Sequence, residues 1–237
     1  MNNSTKTSHH GLIALLPMKA HSARVPGKNF RDFAGKPLFR WILDTLLSID
    51  EIGLVVLNTD ARSILASKGL AESNRIVIRD RKPELCGDDT SMNLILADDI
   101  AAMPADAYLM THTTNPLLSA ATIRAAVSQF RSALAARKAD SLFSVNKFQT
   151  RFYRADSSPI NHDPKRLIKT QDLEPWYEEN SNLYIFTADS FGATSARIGK
   201  QPVMYVTPKS ESVDIDTPAD WELAELTARA RSGVRTA

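Results

Sequence analysis

Residues 17–29, Pro-Met-Lys-Ala-His-Ser-Ala-Arg-Val-Pro-Gly-Lys-Asn, put three cations (Lys19, Arg24, Lys28) and the hydroxyl of Ser22 into one short stretch with a Pro-Gly turn. Ammonium, guanidinium and backbone N–H groups gathered in this way suit a polyphosphate better than any neutral ligand. Neither Gly-x-x-x-x-Gly-Lys-Ser/Thr nor Gly-x-Gly-x-x-Gly occurs here, so this is not one of the common phosphate loops. A second chemical signal stands near the other end of the chain, in Val213-Asp214-Ile215-Asp216-Thr217-Pro218. In an extended segment residues two apart face the same way, roughly 6.5–7 Å apart. Asp214 and Asp216 then aim at one point while Val213 and Ile215 turn inward. One or two carboxylates with phosphate oxygens filling the shell is the usual way to hold Mg²⁺. Taken alone, the pair also fits a solvated Asp214 and a turn residue at Asp216; the cationic stretch favours the metal.

These side chains need a scaffold, and the apolar pattern supplies one. Gly11–Leu16 reads as a buried parallel strand that delivers the cationic stretch as a loop at its carboxyl end, where open α/β sheets bind ligands. A helix is expected over Pro37–Leu47, a strand over Leu54–Asn58, a helix from there to about Ala71, and a strand over Arg75–Arg79. Asp89-Thr90-Ser91 can cap a helix with Met92, Ile95, Leu96 and Ile100 at helical spacing. Tyr108–His112 reads as a strand stopped by Asn115-Pro116, and Ser119 can cap a helix carrying Ile123, Val127, Phe130 and Leu134 on one face. Further strands are expected at Ser141–Val145, Leu183–Phe186 and Val203–Thr207, and a terminal helix at Thr217-Pro218. The alternation predicts a three-layer, Rossmann-like α/β fold with a mostly parallel sheet. Residues 147–180 interrupt it with a long segment rich in Arg, Lys, Asp, Pro and aromatic residues, a length uncommon in loops without function.

Composition narrows the setting. With 237 residues, 43% hydrophobic and 24% charged, the chain suits one globular domain over residues 11–237, with residues 1–10 as a polar, disordered lead-in. A net charge of +2 is too small to argue for nucleic acid or an anionic membrane. No apolar run approaches the roughly 20 residues of a membrane span. The lone Cys86 excludes an intramolecular disulfide and fits a reducing, cytoplasmic setting; it reads as a packing residue.

The same residues carry a resemblance. Pro17, Ser22, Pro26, Gly27, Lys28 and Asn29 stand as in the Pro-Ala-Arg-x-x-Ser-x-x-Leu-Pro-Gly-Lys-Asn loop of the cytidylyltransferases that activate sialic acids and related keto-sugar acids. Lys19 stands where that family has Arg, keeping charge without the bidentate fork, and Ser-x-Arg-x-Pro-Gly-Lys is nearer to enzymes activating the eight-carbon acid Kdo. Asp214-x-Asp216 matches the family's Asp-x-Asp. Asp88-Asp89-Thr90-Ser91 is similar to an acidic-hydroxyl cap beside the nucleotide, and a plain helix cap explains it equally well. Thr113-Thr114-Asn-Pro-Leu stands where members have Gln-Pro-Thr-Ser-Pro-Leu, with His112 at the Gln; that imidazole reads as a hydrogen-bonding or structural group rather than a general base. Glu179-Asn180-Ser181-Asn-Leu-Tyr184 resembles Glu-Asn-Gly-x-x-Tyr-Ile, and Lys169-Thr-Gln171-Asp-Leu stands where sialic-acid members show Arg-Arg-Gln-Asp-Leu.

The resemblance implies a Mg²⁺-dependent transfer of CMP from CTP to a 2-keto-3-deoxy sugar acid, with release of pyrophosphate. It implies a nucleotide site of Pro17, Lys19, Ser22, Arg24, Lys28, Asn29, Ser91, His112 and Thr114, with Lys19, Arg24, Lys28 and Asp216 acting on the phosphates. It implies a sugar site of Lys169, Gln171, Asn180 and Tyr184, and a homodimer built by residues 147–180, which reach over the neighbour's sugar site. Another sugar nucleotidyltransferase and a non-catalytic nucleotide-binding relative are the alternatives.

Overall fold

The computed structural model describes residues 10–231 except 23 and 88. The expected lead-in over residues 1–9 lies outside the described residues; its last member, His10, already belongs to the first strand. Strand β1 (His10–Leu15) is followed by a two-residue hairpin, β2 (Asp32–Phe33) and β3 (Lys36–Pro37), and by helix α1 (Leu38–Leu47). Then come β4 (Leu54–Thr59), α2 (Arg62–Ser67), β5 (Ile76–Asp80), α3 (Met92–Ala102), β6 (Ala105–Met110) and α4 (Ala120–Ala135). The last part contains β7 (Ser141–Phe148), β8 (Trp176–Thr187), α5 (Ala188–Thr194), β9 (Pro202–Val206) and α6 (Pro218–Arg231).

Seven strands form one sheet in the order β5-β4-β1-β6-β8-β7-β9, and β8 alone runs against its neighbours. The mostly parallel sheet expected from the alternation is what the chain adopts. Because successive strand residues face opposite sides, β1 serves two cores. Leu12, Ala14 and Leu16 pack with Phe39, Ile42 and Leu46 of α1 and with Ile123 and Phe130 of α4. Ile13 and Leu15 pack with Leu96 of α3, Tyr108, Phe186 and Phe191 of α5. Ser91 and Ser119 cap α3 and α4 as expected, accepting from the Asn93 and Thr122 amides.

Three expectations are corrected. Helix α2 ends well before Ala71, because the chain turns at Gly69 with φ +73°, a conformation that favours glycine. Tyr108–His112 is strand only as far as Met110, which leaves Thr111 and His112 on the loop beyond the sheet. Residues 147–180 are not one loop: Phe148 pairs with Trp176 and Val145 with Glu179, so both ends extend the β7–β8 ladder and only 149–175 is irregular.

A third core explains how the two chemical signals meet. Val25, Phe33, Leu38 and Leu117 pack around Ile215, Trp221, Ala224 and Ala228. Trp221 lies edge-on to Phe33 at 5.2 Å between centroids, and the Arg31 guanidinium covers its ring at 4.6 Å. Helix α6 is thereby fastened to the far side of the loop that follows β1.

Candidate functional site

The carboxyl ends of β1, β4, β5 and β6 open into a cleft of about 320 Å³. Its floor is the end of β1: the Leu16 and Met18 amides continue bonding to β4, at 2.8 and 3.0 Å to the Val56 and Asn58 carbonyls. Gly27, at φ +63°, turns the chain so that Lys28–Phe30 can form a short 3-10 turn. Pro17, Lys19, Ser22, Arg24, Lys28 and Asn29 all line the cleft, as do His112 and Thr114 from the loop after β6.

Within the cleft the ends of the chain meet. The Ile215 amide donates to the Thr114 carbonyl at 2.9 Å, and Lys28 Nζ donates to the Ile215 carbonyl at 2.5 Å. Asp216 Oδ1 lies 2.9 Å from Arg24 Nη2 and 3.4 Å from Lys28 Nζ. The start of α6 fixes this geometry: Thr217 and Asp220 cap each other, the Thr217 amide donating to Asp220 Oδ2 at 2.7 Å and the Asp220 amide to Thr217 Oγ1 at 3.2 Å. Asp220 Oδ2 also accepts from the Asp216 amide at 3.2 Å.

Electrostatics distinguish the two carboxylates. Burial pushes the Asp214 carboxyl above its ordinary range, the Thr114 hydroxyl works against this, and the charge of Asp216 adds to it. Asp214 Oδ1 is buried with no hydrogen-bond partner. An orphaned carboxylate oxygen beside a second carboxylate fits a hard cation. Among the described residues no group of three or more His, Cys, Asp or Glu gathers, so any such ion would depend on water and ligand oxygens for the rest of its shell. His112 is pushed down to about 4 by burial and by the charges of Arg197 and Lys28, so its imidazole is neutral at pH 7.

Residues 13–225 match the cytidylyltransferase family profile. The chain belongs to this family. A CMP-N,N'-diacetyllegionaminic acid synthase of Legionella pneumophila is 29% identical over 237 residues, covering 90% of this chain and 94% of the relative. A pseudaminic acid cytidylyltransferase of Campylobacter jejuni is 24% identical over 225 residues, with coverage of 90% and 94%. Among solved structures, a CMP:2-keto-3-deoxy-manno-octonic acid synthetase complexed with CTP superposes with a TM-score of 0.64 at 14% identity, over 93% of this chain and 99% of the other. A 4-diphosphocytidyl-2C-methyl-D-erythritol synthase from Anaerococcus prevotii gives 0.63 at 13% identity, covering 93% and 99%. At such identities these two structures speak for the shared fold.

Not every residue of the expected cytidylyltransferase site sits in the cleft. Asn29 lines it, but its amide is committed to the loop, donating to the Lys19 carbonyl at 2.8 Å and accepting from Thr113 Oγ1 at 2.6 Å. Lys28 lines it too, but in the free protein its ammonium is engaged by the Ile215 carbonyl and Asp216. Ser91 caps α3 and is exposed between two lining residues, Thr90 and Met92.

The expected sugar-site residues do not line this chain's cleft. Asn180 is buried and knotted into β7, accepting from Ser144 Oγ at 2.7 Å and donating to Asn146 Oδ1 at 3.0 Å and Thr207 Oγ1 at 3.2 Å. Tyr184 is fully buried; its hydroxyl donates to Glu179 and its ring lies 3.9 Å from the Arg197 guanidinium. Lys169 and Gln171 are exposed in the irregular segment and do not line this chain's cleft.

A charged lining residue was missed by the sequence reading altogether. Arg81, just past β5, is 6% exposed and faces the cleft. The available signal was its place at the carboxyl end of a predicted strand, the same argument that singled out the loop after β1.

Proposed function

We propose that this cytidylyltransferase joins CTP to a 2-keto-3-deoxy sugar acid, releasing pyrophosphate and giving a CMP-sugar, with Mg²⁺ held at Asp214 and Asp216. The observation that carries the reading is the convergence of Lys19, Arg24, Lys28 and Arg81 on one cleft beside that carboxylate pair. The named relatives that act on legionaminic and pseudaminic acids support a nine-carbon substrate of this kind.

In the reaction the anomeric hydroxyl oxygen forms a bond to the α-phosphorus, the α–β phosphoanhydride bond breaks, and the hydroxyl proton passes to solvent. Such a displacement depends on positioning and charge neutralisation more than on a protein nucleophile. Arg24 and Lys28 neutralise Asp216 in the free protein; a triphosphate offers them a stronger partner, and their transfer to it exposes the Asp216 carboxylate. A bound divalent ion supplies charge neutralisation on the phosphate oxygens. Neutral His112 serves as a hydrogen-bonding wall for ribose or base, since a group pushed down to about 4 does not retain a proton at pH 7.

A homodimer belongs to the same proposal. Trp176 and Tyr177 on the β7–β8 extension and Leu167 in the irregular segment expose large apolar surfaces, and a second copy placed there would bring Lys169 and Gln171 to a neighbouring cleft. The reading is tested by following pyrophosphate while CTP, Mg²⁺ and a panel of keto-sugar acids are mixed. Release that requires all three supports it, and release with none of the acids overturns it.

A further inference from the structure

Behind the cleft runs a buried polar chain that includes neither the loop's cations nor the carboxylate pair. Arg81 Nε donates to Asn58 Oδ1 at 2.9 Å, and its Nη2 donates to the carbonyls of Asn58 at 2.9 Å and Met18 at 3.2 Å. All three acceptors are neutral. Burial pushes the guanidinium below its ordinary value, and no carboxylate of the described residues lies within ion-pairing distance of it. The more distant charges of Asp60 and Asp99 work against that burial, but a buried charge whose direct hydrogen bonds all go to neutral oxygens is costly, and a ligand oxygen arriving in the cleft relieves that cost.

The aim of this guanidinium is set one residue further back. Asn58 is fully buried, and its Nδ2 donates to Asp99 Oδ1 at 2.8 Å. Asp99 is itself fully buried and accepts on the same oxygen from Arg79, whose Nη2 donates to Asp98 at 2.8 Å. Asp99 Oδ1 is an acceptor whether or not the other oxygen carries a proton. The Asn58 amide therefore has one satisfied orientation, NH₂ toward Asp99 and carbonyl toward Arg81. That orientation occupies Nε of Arg81 and leaves Nη1 as its one nitrogen without a protein acceptor among the described residues.

We propose that Asn58, backed by Asp99, is a positioning residue that aims Arg81 at the bound nucleotide. This rests on the cleft being a CTP site. The test is calorimetric titration of CTP into wild type, Asn58→Ala, Arg81→Ala and the double variant, with unfolding midpoints measured alongside. Loss of a charge-assisted contact costs about tenfold or more in Kd. The expected result is a loss of about tenfold in each single variant, and a double variant no weaker than Arg81→Ala alone, because Asn58 acts only through Arg81. A merely structural asparagine lowers the midpoint and leaves Kd unchanged, which overturns the proposal, as do losses that simply add. Should Asn58→Ala not fold, Asp99→Leu keeps a similar size and removes the obligatory acceptor. A Kd weakened several-fold in it is expected, and an unchanged Kd overturns the proposal. Wild type that binds no CTP overturns the proposed function and this inference together; wild-type binding with unaltered variants overturns the inference alone.

Discussion

Lys28 shows how a residue of the right type in the right loop acquires its meaning only from its partners. Its ammonium holds the Ile215 carbonyl at 2.5 Å and sits 3.4 Å from Asp216. Its proposed contact with the β- and γ-phosphates is an exchange of partners, which CMP cannot induce. Lys28→Ala should weaken CTP about ten- to a hundredfold and CMP hardly at all; titration of both nucleotides checks this, and equal losses would contradict it. His112 gives a second expectation. Folding lowers its pKa to about 4 from the ordinary 6.5. Between those values the unfolded chain binds the proton and the folded chain does not, so stability falls as the pH drops through that window. In His112→Gln that part of the acid sensitivity should vanish, so urea unfolding at pH 7 and pH 5 should show wild type losing more stability than the variant. Parallel losses would mean that His112 is not held neutral by the fold.

At the level of elements, Ser181 carries a backbone conformation made for another residue. It stands where the family has glycine, and φ +55° keeps it in the left-handed region, beside the register shift between β7 and β8. A side chain there costs roughly 1–2 kcal/mol, partly offset by the hydrogen bond of the Ser181 hydroxyl to the Tyr184 oxygen at 3.2 Å. Ser181→Gly should raise stability by about 1 kcal/mol in chemical denaturation, and a destabilised variant would show that the hydroxyl matters more than the backbone. The alternation of strands and helices, the caps at Ser91 and Ser119, and the Thr217-Pro218 helix start were legible in the sequence because each rests on local chemistry. The first half of β8 was not. Trp176–Glu179 is exposed at every position, so it leaves no period-two pattern, and only its pairing with β7 makes it a strand. Arg81 was hidden for a related reason: its role depends on Asn58, 23 positions away in sequence.

Over the whole molecule, the sheet brings the loop after β1 and the segment before α6 to one cleft, and the core around Trp221 holds them there. The loop and the Asp-x-Asp were readable from residue types. Their contact across 188 positions of sequence, which couples Lys28 to Asp216, was not. The β7–β8 extension, with Trp176 stacked on Phe152 at 5.2 Å and both flanked by exposed apolar side chains, is the surface expected to pair with a second copy. Sedimentation should give a dimer, and charged substitutions at Trp176 and Tyr177 should shift it to monomer with a weakened response to sugar acid; a fully active monomeric wild type would remove the shared site. The most direct measurement is phosphorus NMR of CTP incubated with the protein, Mg²⁺ and a nine-carbon keto-sugar acid. The account predicts that CTP signals give way to equal amounts of pyrophosphate and a CMP phosphodiester, and CTP left intact with every keto-sugar acid offered, or hydrolysed to CMP without a sugar ester, would contradict it.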